Sequence, residues 1–324
     1  MRRILERAKD LARIAAGSAQ NLIDPPVVVL LYHRVAALER DPQQLAVTPE
    51  NFRAHLAWLK AHYPVLRFEE DWRAARRPAV VLTFDDGYAD NALAALPALE
   101  GAEAPATFFV STADVGSRRE FWWDELERCI DAAPAGAGPF SLRAGGATRS
   151  WPASSAPERA ALYKALHPAL KAMSAQARGE ALAALRRWAG VDEHCRESHR
   201  LLSLEELGRL ASSRHATIGA HSVNHVPLAR LSVEAQRYEI ETSRRQLEQW
   251  IGRPVDCFSY PFGGHADYDA RTVELCRRAG FRKAAANRPG SWHRWDGDLE
   301  IHRRLVRNWG VDEFSSRVRA MFRQ

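Results

Sequence analysis

Short apolar runs alternate with longer amphipathic stretches along the chain, and this rhythm predicts most of its elements. Residues 27–32, VVVLLY, follow Pro25-Pro26 and read as a β-branched strand buried on both faces. Thr48-Pro49-Glu50 opens a helix in which Phe52, Leu56 and Leu59 recur at helical spacing. A second buried strand, AVVLTF over residues 79–84, runs into Asp85-Asp86-Gly87. A helix over 92–99 and a strand over 106–110 follow. Successive units of this kind predict an α/β fold with a parallel sheet or barrel.

From 117 to 200 the pattern turns Ala- and Arg-rich, with helical spacing around 121–132 and 158–189 and a Gly/Pro/Ser-rich loop between them. This stretch predicts a helical insertion. The earlier rhythm then resumes. Ser203-Leu204-Glu205-Glu206 is a capping box, strands are expected at 217–220, 257–260, 282–286 and near 300–306, and helices at 232–251, 269–279 and 312–322. The expected organisation is an amphipathic helix over 1–25, a first barrel segment over 26–116, the insertion over 117–200 and a second barrel segment over 201–324.

Composition narrows the class. With 46% hydrophobic and 27% charged residues in 324, the chain can bury a sizeable core. Its net charge of +6 is spread among acids rather than run together, which argues against a nucleic-acid tail and for no nucleic-acid partner. Four scattered cysteines form no CxxC pair, so neither a disulfide framework nor a thiolate zinc site is expected. Glu6, Arg7, Lys9, Asp10 and Arg13 interrupt the opening segment, so it reads as an amphipathic helix rather than a signal peptide. A cytoplasmic protein is expected, its basic helix packed on the fold or resting on the inner membrane surface.

In a parallel barrel, polar residues at the C-terminal ends of strands converge on one face. Three groups occupy such ends here: Asp85-Asp86, His221, and Tyr260-Pro261-Phe262-Gly263. The His221-x-x-x-His225 spacing sets two imidazoles about one turn apart, as a metal requires. Alone it says little, because 12 histidines in this length give about 0.4 such pairs by chance. Asp85-Asp86 adds weight, since adjacent carboxylates repel unless a cation or a proton intervenes. Strand alternation sends the two in different directions, so that Asp86 can join His221 and His225 in a two-His, one-carboxylate site while Asp85 stays free.

Thr83-Phe84-Asp85-Asp86-Gly87, His221-Ser222-Val223-Asn224-His225 and Tyr260-Pro261-Phe262-Gly263 resemble, in order and spacing, the first three motifs of the polysaccharide deacetylases, carbohydrate esterase family four. The resemblance implies a distorted (β/α) barrel that removes acetyl groups from an N-acetylated carbohydrate substrate. It implies Asp85 as general base and a divalent metal, usually zinc, on Asp86, His221 and His225. It also implies an oxyanion-binding N–H at Phe262, with Tyr260 beside it at the substrate, and a general acid in a Leu-x-x-His motif, which Leu299–His302 fits with His302. Two departures stand out. The motif-three arginine that pairs with the catalytic Asp is Ser259 here, and the Asp and Trp that steady it have no match. Arg303 is the expected replacement, and His33, closing the first strand, is a further candidate for the site. The remaining readings are a deacylase of a non-sugar amide or ester, and a catalytically silent carbohydrate-binding barrel.

Overall fold

The computed structural model describes residues 24–134, 136–144 and 147–323, so residues 1–23 of the expected N-terminal helix lie outside the described residues. The chain forms two compact units, one from the segments up to Gly116 and from Leu202 onward, the other from Ser117–Leu201. Twelve strands are described: β1 (Val27–Tyr32), β2 (Arg34–Val35), β3 (Ala46–Val47), β4 (Val65–Leu66), β5 (Ala79–Phe84), β6 (Ala106–Val110), β7 (Phe140–Ala144), β8 (Ala147–Trp151), β9 (Ala216–Ala220), β10 (Cys257–Ser259), β11 (Lys283–Ala285) and β12 (Arg304–Leu305). The helices are α1 (Pro49–His62), α2 (Leu96–Gly101), α3 (Trp122–Ala132), α4 (Ala156–Ala172), α5 (Ala175–Ala189), α6 (Leu204–Ser212), α7 (Val233–Ile251), α8 (Ala270–Arg278) and α9 (Val311–Met321).

The first unit is a curled parallel sheet in the order β11-β10-β9-β6-β5-β1-β12, with β4 added beside β5. Residues 301–305 reach from one edge to the other: Ile301 bridges Ala285 on β11, and Arg304 and Leu305 pair with Leu30 and Leu31 on β1. The α/β barrel expected from the sequence is therefore the fold observed. Parallel neighbours need crossovers, and these place helices outside the curl. Val28, Leu30, Tyr32, Val80, Leu82 and Phe84 face outward to pack with Phe52, Leu56, Leu210 and Phe314 from the helices. Each such side chain contributes roughly 1.5–3 kcal/mol when fully buried.

The alternate residues Val27, Val29, Ala79, Val81, Phe109, Cys257, Ala285 and Ile301 form a separate cluster with Phe68, Trp72 and Trp292. These point into the curl. Continuing the same period-two series toward the strand ends leads from apolar to reactive side chains: Val81 to Thr83 and Asp85, Val29 to Leu31 and His33, Cys257 to Ser259, and Ile301 to Arg303. The barrel interior thus changes from a largely apolar floor, where Lys283 Nζ lies 3.5 Å over the Trp72 ring, to a polar mouth.

In the second unit, the stretch expected as a loop holds an antiparallel hairpin instead, β7 with β8. Its strands flank Gly145-Gly146 in sequence, a glycine pair of the kind that joins hairpin strands. The helical pattern over 158–189 is two helices, because the Ser174 side chain caps the first turn of α5. Glu120, buried in this unit, accepts from Arg196 and Arg128. No helix of the described residues is long and apolar enough to cross a membrane.

Candidate active site

Asp85 leaves β5 with its N–H donating to the Tyr32 carbonyl at 3.1 Å, and its side chain continues the inward series. The backbone then turns left-handed, with φ of 80° at Asp86 and 90° at Gly87. Gly87 is required there, since a Cβ would fall 2.9 Å from Val110 Cγ1. Four of the six non-glycine residues with positive φ among those described belong to this mouth: Asp86, Ser222, His225 and Phe262. Left-handed backbone costs energy in such residues and concentrates where a site over-determines the geometry.

The two neighbouring carboxylates receive different partners. Arg303 grips Asp85 in a fork, Nη1 to Oδ1 at 2.7 Å and Nη2 to Oδ2 at 2.6 Å. Ser259 Oγ donates to Oδ2 at 3.1 Å and in turn accepts from Arg303 Nη2 at 2.8 Å. The guanidinium also donates to the Ala286 carbonyl and to Thr83 Oγ1. Burial alone would raise the Asp85 carboxyl; Arg303, with His221, outweighs it and holds the group below the usual carboxylate range. Arg303 and the small Ser259 hydroxyl thus hold Asp85 together.

Asp86 instead faces the imidazoles. Its Oδ1 is 3.2 Å from His225 Nε2 and 3.6 Å from His221 Nε2. The three ligand atoms lie within 4.8 Å of one another, and all three residues are buried. His221 Nδ1 donates to the Ser259 carbonyl at 2.7 Å, which fixes a proton there and aims Nε2 at the carboxylates, 3.6 Å from Asp86 Oδ1 and 3.7 Å from Asp85 Oδ2. Burial would raise the Asp86 carboxyl, but hydrogen bonds from His221 and His225 hold it far below the usual range. A deprotonated carboxylate and two imidazoles converging at this separation fit a divalent ion with open positions. The rest of the loop is braced from β6: Ser111 Oγ donates to the His221 carbonyl, and the N–H groups of Thr112 and Ala113 to those of Ser222 and Val223.

His33 reaches the same mouth. Burial lowers its pKa, while Asp86 and Asp85 are close enough to oppose that shift. Its Nδ1 is buried without a hydrogen-bond partner. Phe262 packs edge-on against the His225 ring with centroids 4.6 Å apart.

Two expected residues are not brought to the site. Tyr260 is in the outer core: its hydroxyl donates to the Leu299 carbonyl at 2.8 Å and its ring stacks on Tyr268 at 4.1 Å. The cause is parity, since Ser259 points inward and its neighbour must point out. His302 fails for the same reason, because Arg303 takes the inward position. The His302 imidazole lies against Gly290, under the influence of Arg288, Asp296 and Glu300 rather than of the site carboxylates. Asn91, absent from the sequence reading, donates to the His33 carbonyl at 2.9 Å from a π-helical turn, Asn91–Ala95. A buried asparagine so soon after Asp-Asp-Gly was the available signal.

YxkH of Bacillus subtilis (strain 168), named among the polysaccharide deacetylases, is 19% identical over 283 residues, covering 85% of this chain and 69% of that protein. Among solved structures, the Streptococcus pyogenes deacetylase PplD in complex with acetate is 17% identical with a TM-score of 0.57, covering 90% of this chain and 98% of that one. IcaB from Ammonifex degensii is 19% identical with a TM-score of 0.56, covering 92% and 97%. These likenesses speak for a shared fold. The sequence model of the polysaccharide deacetylases matches residues 73–134 and 161–284, which include Asp85, Asp86, His221, His225 and Phe262 but neither His33 nor Arg303. With more than half of its length matched, the chain belongs to the polysaccharide deacetylase family.

Proposed function

We propose that this protein is a metal-dependent hydrolase that removes the acetyl group from an N-acetylated sugar of a polysaccharide or oligosaccharide, with zinc as its ion. The observation that carries the reading is the division of labour between adjacent carboxylates: Asp85 is held by Arg303 and Ser259, Asp86 by two imidazoles. A binding barrel has no use for a separately fixed, ionised carboxylate beside a metal set. The acetate bound to PplD is the leaving product that such a reaction would give.

Zinc bound by Asp86, His221 and His225 would polarise the acetyl carbonyl and acidify water. The chain supplies the proton traffic. A carboxylate offers about four lone-pair sites, and three donors already occupy three of those on Asp85. The remaining site, on Oδ1, accepts the proton of water as it attacks the acetyl carbon. As the C–N bond breaks, the sugar nitrogen takes a proton and leaves as an amine, with acetate as co-product. That proton is the one Asp85 took from water, and we assign its delivery to His33, because His33 reaches the mouth where His302 does not. Phe262, held left-handed beside His225, offers its backbone N–H to the tetrahedral oxyanion.

Acetate release from N-acetylglucosamine oligomers, measured after chelation and after zinc is returned, tests the reading. Asp85→Asn should bind zinc yet release no acetate, and Asp86→Asn should lose both. An Asp85→Asn enzyme turning over at the unmodified rate would remove Asp85 as the base.

A further inference from the structure

The loop that carries two of the three metal ligands is built from left-handed residues, with φ of 64° at Ser222 and 47° at His225. Such a loop needs outside support. On one side Thr112 N–H donates to the Ser222 carbonyl at 3.2 Å and Ala113 N–H to the Val223 carbonyl at 2.9 Å. The other side faces α7, and there a single carboxylate, Glu239, takes three donors of the loop. Its Oε2 accepts the N–H of Val223 at 2.9 Å and of Asn224 at 2.8 Å, and its Oε1 accepts Asn224 Nδ2 at 2.7 Å. Glu239 is 5% exposed.

We infer that Glu239 is a positioning residue that fixes the relative orientation of His221 and His225 for metal binding; the inference rests on reading Asp86, His221 and His225 as a metal set. Four peptide planes separate His221 from His225, and the two central ones are Ser222–Val223 and Val223–Asn224. Each of these two is held at its oxygen by the β6 loop and at its hydrogen by Glu239. Removing the carboxylate frees both planes to rotate about their remaining bonds, and the ligands at either end turn with them. Burying a carboxylate costs several kcal/mol unless its oxygens are satisfied, and charge-assisted bonds to N–H groups are about twice as strong as neutral ones. An apolar residue at this point of α7 would bury more easily, so the charge is explained by the loop it grips.

Cobalt(II) and zinc affinities, measured by competition with a chelator on the whole protein, test this together with the visible absorption spectrum of the cobalt form. Outer-shell contacts of this kind typically change metal affinity 10–100-fold. Glu239→Leu should weaken both metals by about 100-fold. Glu239→Gln, which keeps an acceptor oxygen but not the charge, should weaken them by about tenfold. The cobalt bands should shift in each variant that still loads, which a role in fold stability alone would not produce. Thermal unfolding of the chelated proteins identifies which variants are folded; should the leucine variant fail, the isosteric glutamine variant decides. Affinity within about twofold of the unmodified protein, with an unchanged cobalt spectrum, in a folded variant overturns the role of Glu239 alone. No uptake by the unmodified protein overturns the metal reading and the inference with it.

Discussion

Replacing Arg303 by methionine isolates the central ion pair of the barrel mouth. The change removes the two fork bonds to Asp85 at 2.7 and 2.6 Å and the bonds to Ser259, Ala286 and Thr83, and leaves the carboxylate with Ser259 Oγ at 3.1 Å. Both members of the pair are buried, the arginine side chain at 0% exposure and the aspartate at 5%. Breaking such a pair from one side strands a charge in the interior, which costs about 3–5 kcal/mol. For a unit of this size, that lowers the unfolding temperature by roughly 6–20 °C. Thermal unfolding near neutral pH with chelator present keeps metal loss out of the comparison. Asp85→Asn should be costly as well, and the double variant should be less destabilised than the two single changes predict together, by at least about 2 kcal/mol of coupling. Turnover should fall with the fork, and Ser259→Arg combined with Arg303→Ser should recover part of it by supplying the guanidinium from β10. Single changes that add within about 0.5 kcal/mol would refute the argument that Asp85 depends on Arg303.

Four further outcomes are expected. His33→Gln should lower kcat by about 100-fold or more while His302→Gln leaves it within about threefold, since a positioned proton donor contributes at least that much; steady-state acetate release reads both. Gly87→Ala should destabilise the barrel by about 1–3 kcal/mol in urea unfolding, because its φ of 90° and the nearby Val110 methyl each oppose a side chain. Burial lowers His55 to about 4, against a weaker pull from the Trp309 carbonyl. The unfolded chain therefore takes up that proton first, below about pH 6.5. Stability is complete above that pH and declines as pH falls toward 4, by about 3 kcal/mol for this group, a loss His55→Gln should flatten. In the second unit His167, lowered to about 4 chiefly by burial with Lys171 adding to it, should weaken that unit over the same range, measurable by urea unfolding across pH.

Much of the barrel could be read because its strands are buried on both faces. VVVLLY and AVVLTF leave no polar position to confuse the period, and β1 and β5 span those residues. The convergence of Asp86, His221 and His225 could be read because a four-residue spacing and a strand end are local features. What was lost depended on phase. Residues 299–306 contain two inward-capable histidine and arginine neighbours, and pairing with β1 and β11, not their own pattern, decides that Arg303 turns in and His302 out. Tyr260 went astray through the same one-residue ambiguity beside Ser259. Glu239 left a fainter trace: Gln236, Glu239, Ile240, Ser243 and Leu247 lie on the buried side of α7, and a charged residue within that stripe marks a partner elsewhere in the fold.

The fork on Asp85 joins residues 218 positions apart. During synthesis the carboxylate therefore emerges long before its counter-charge, and Asp86, His221 and His225 are also made earlier. A nascent chain ending before Arg303 has the reactive groups in sequence but faces the full cost of burying Asp85 unpaired. The barrel mouth has a reason to stay open until Arg303 and β12 are made, so that delivery of the guanidinium and assembly of the candidate centre become one event.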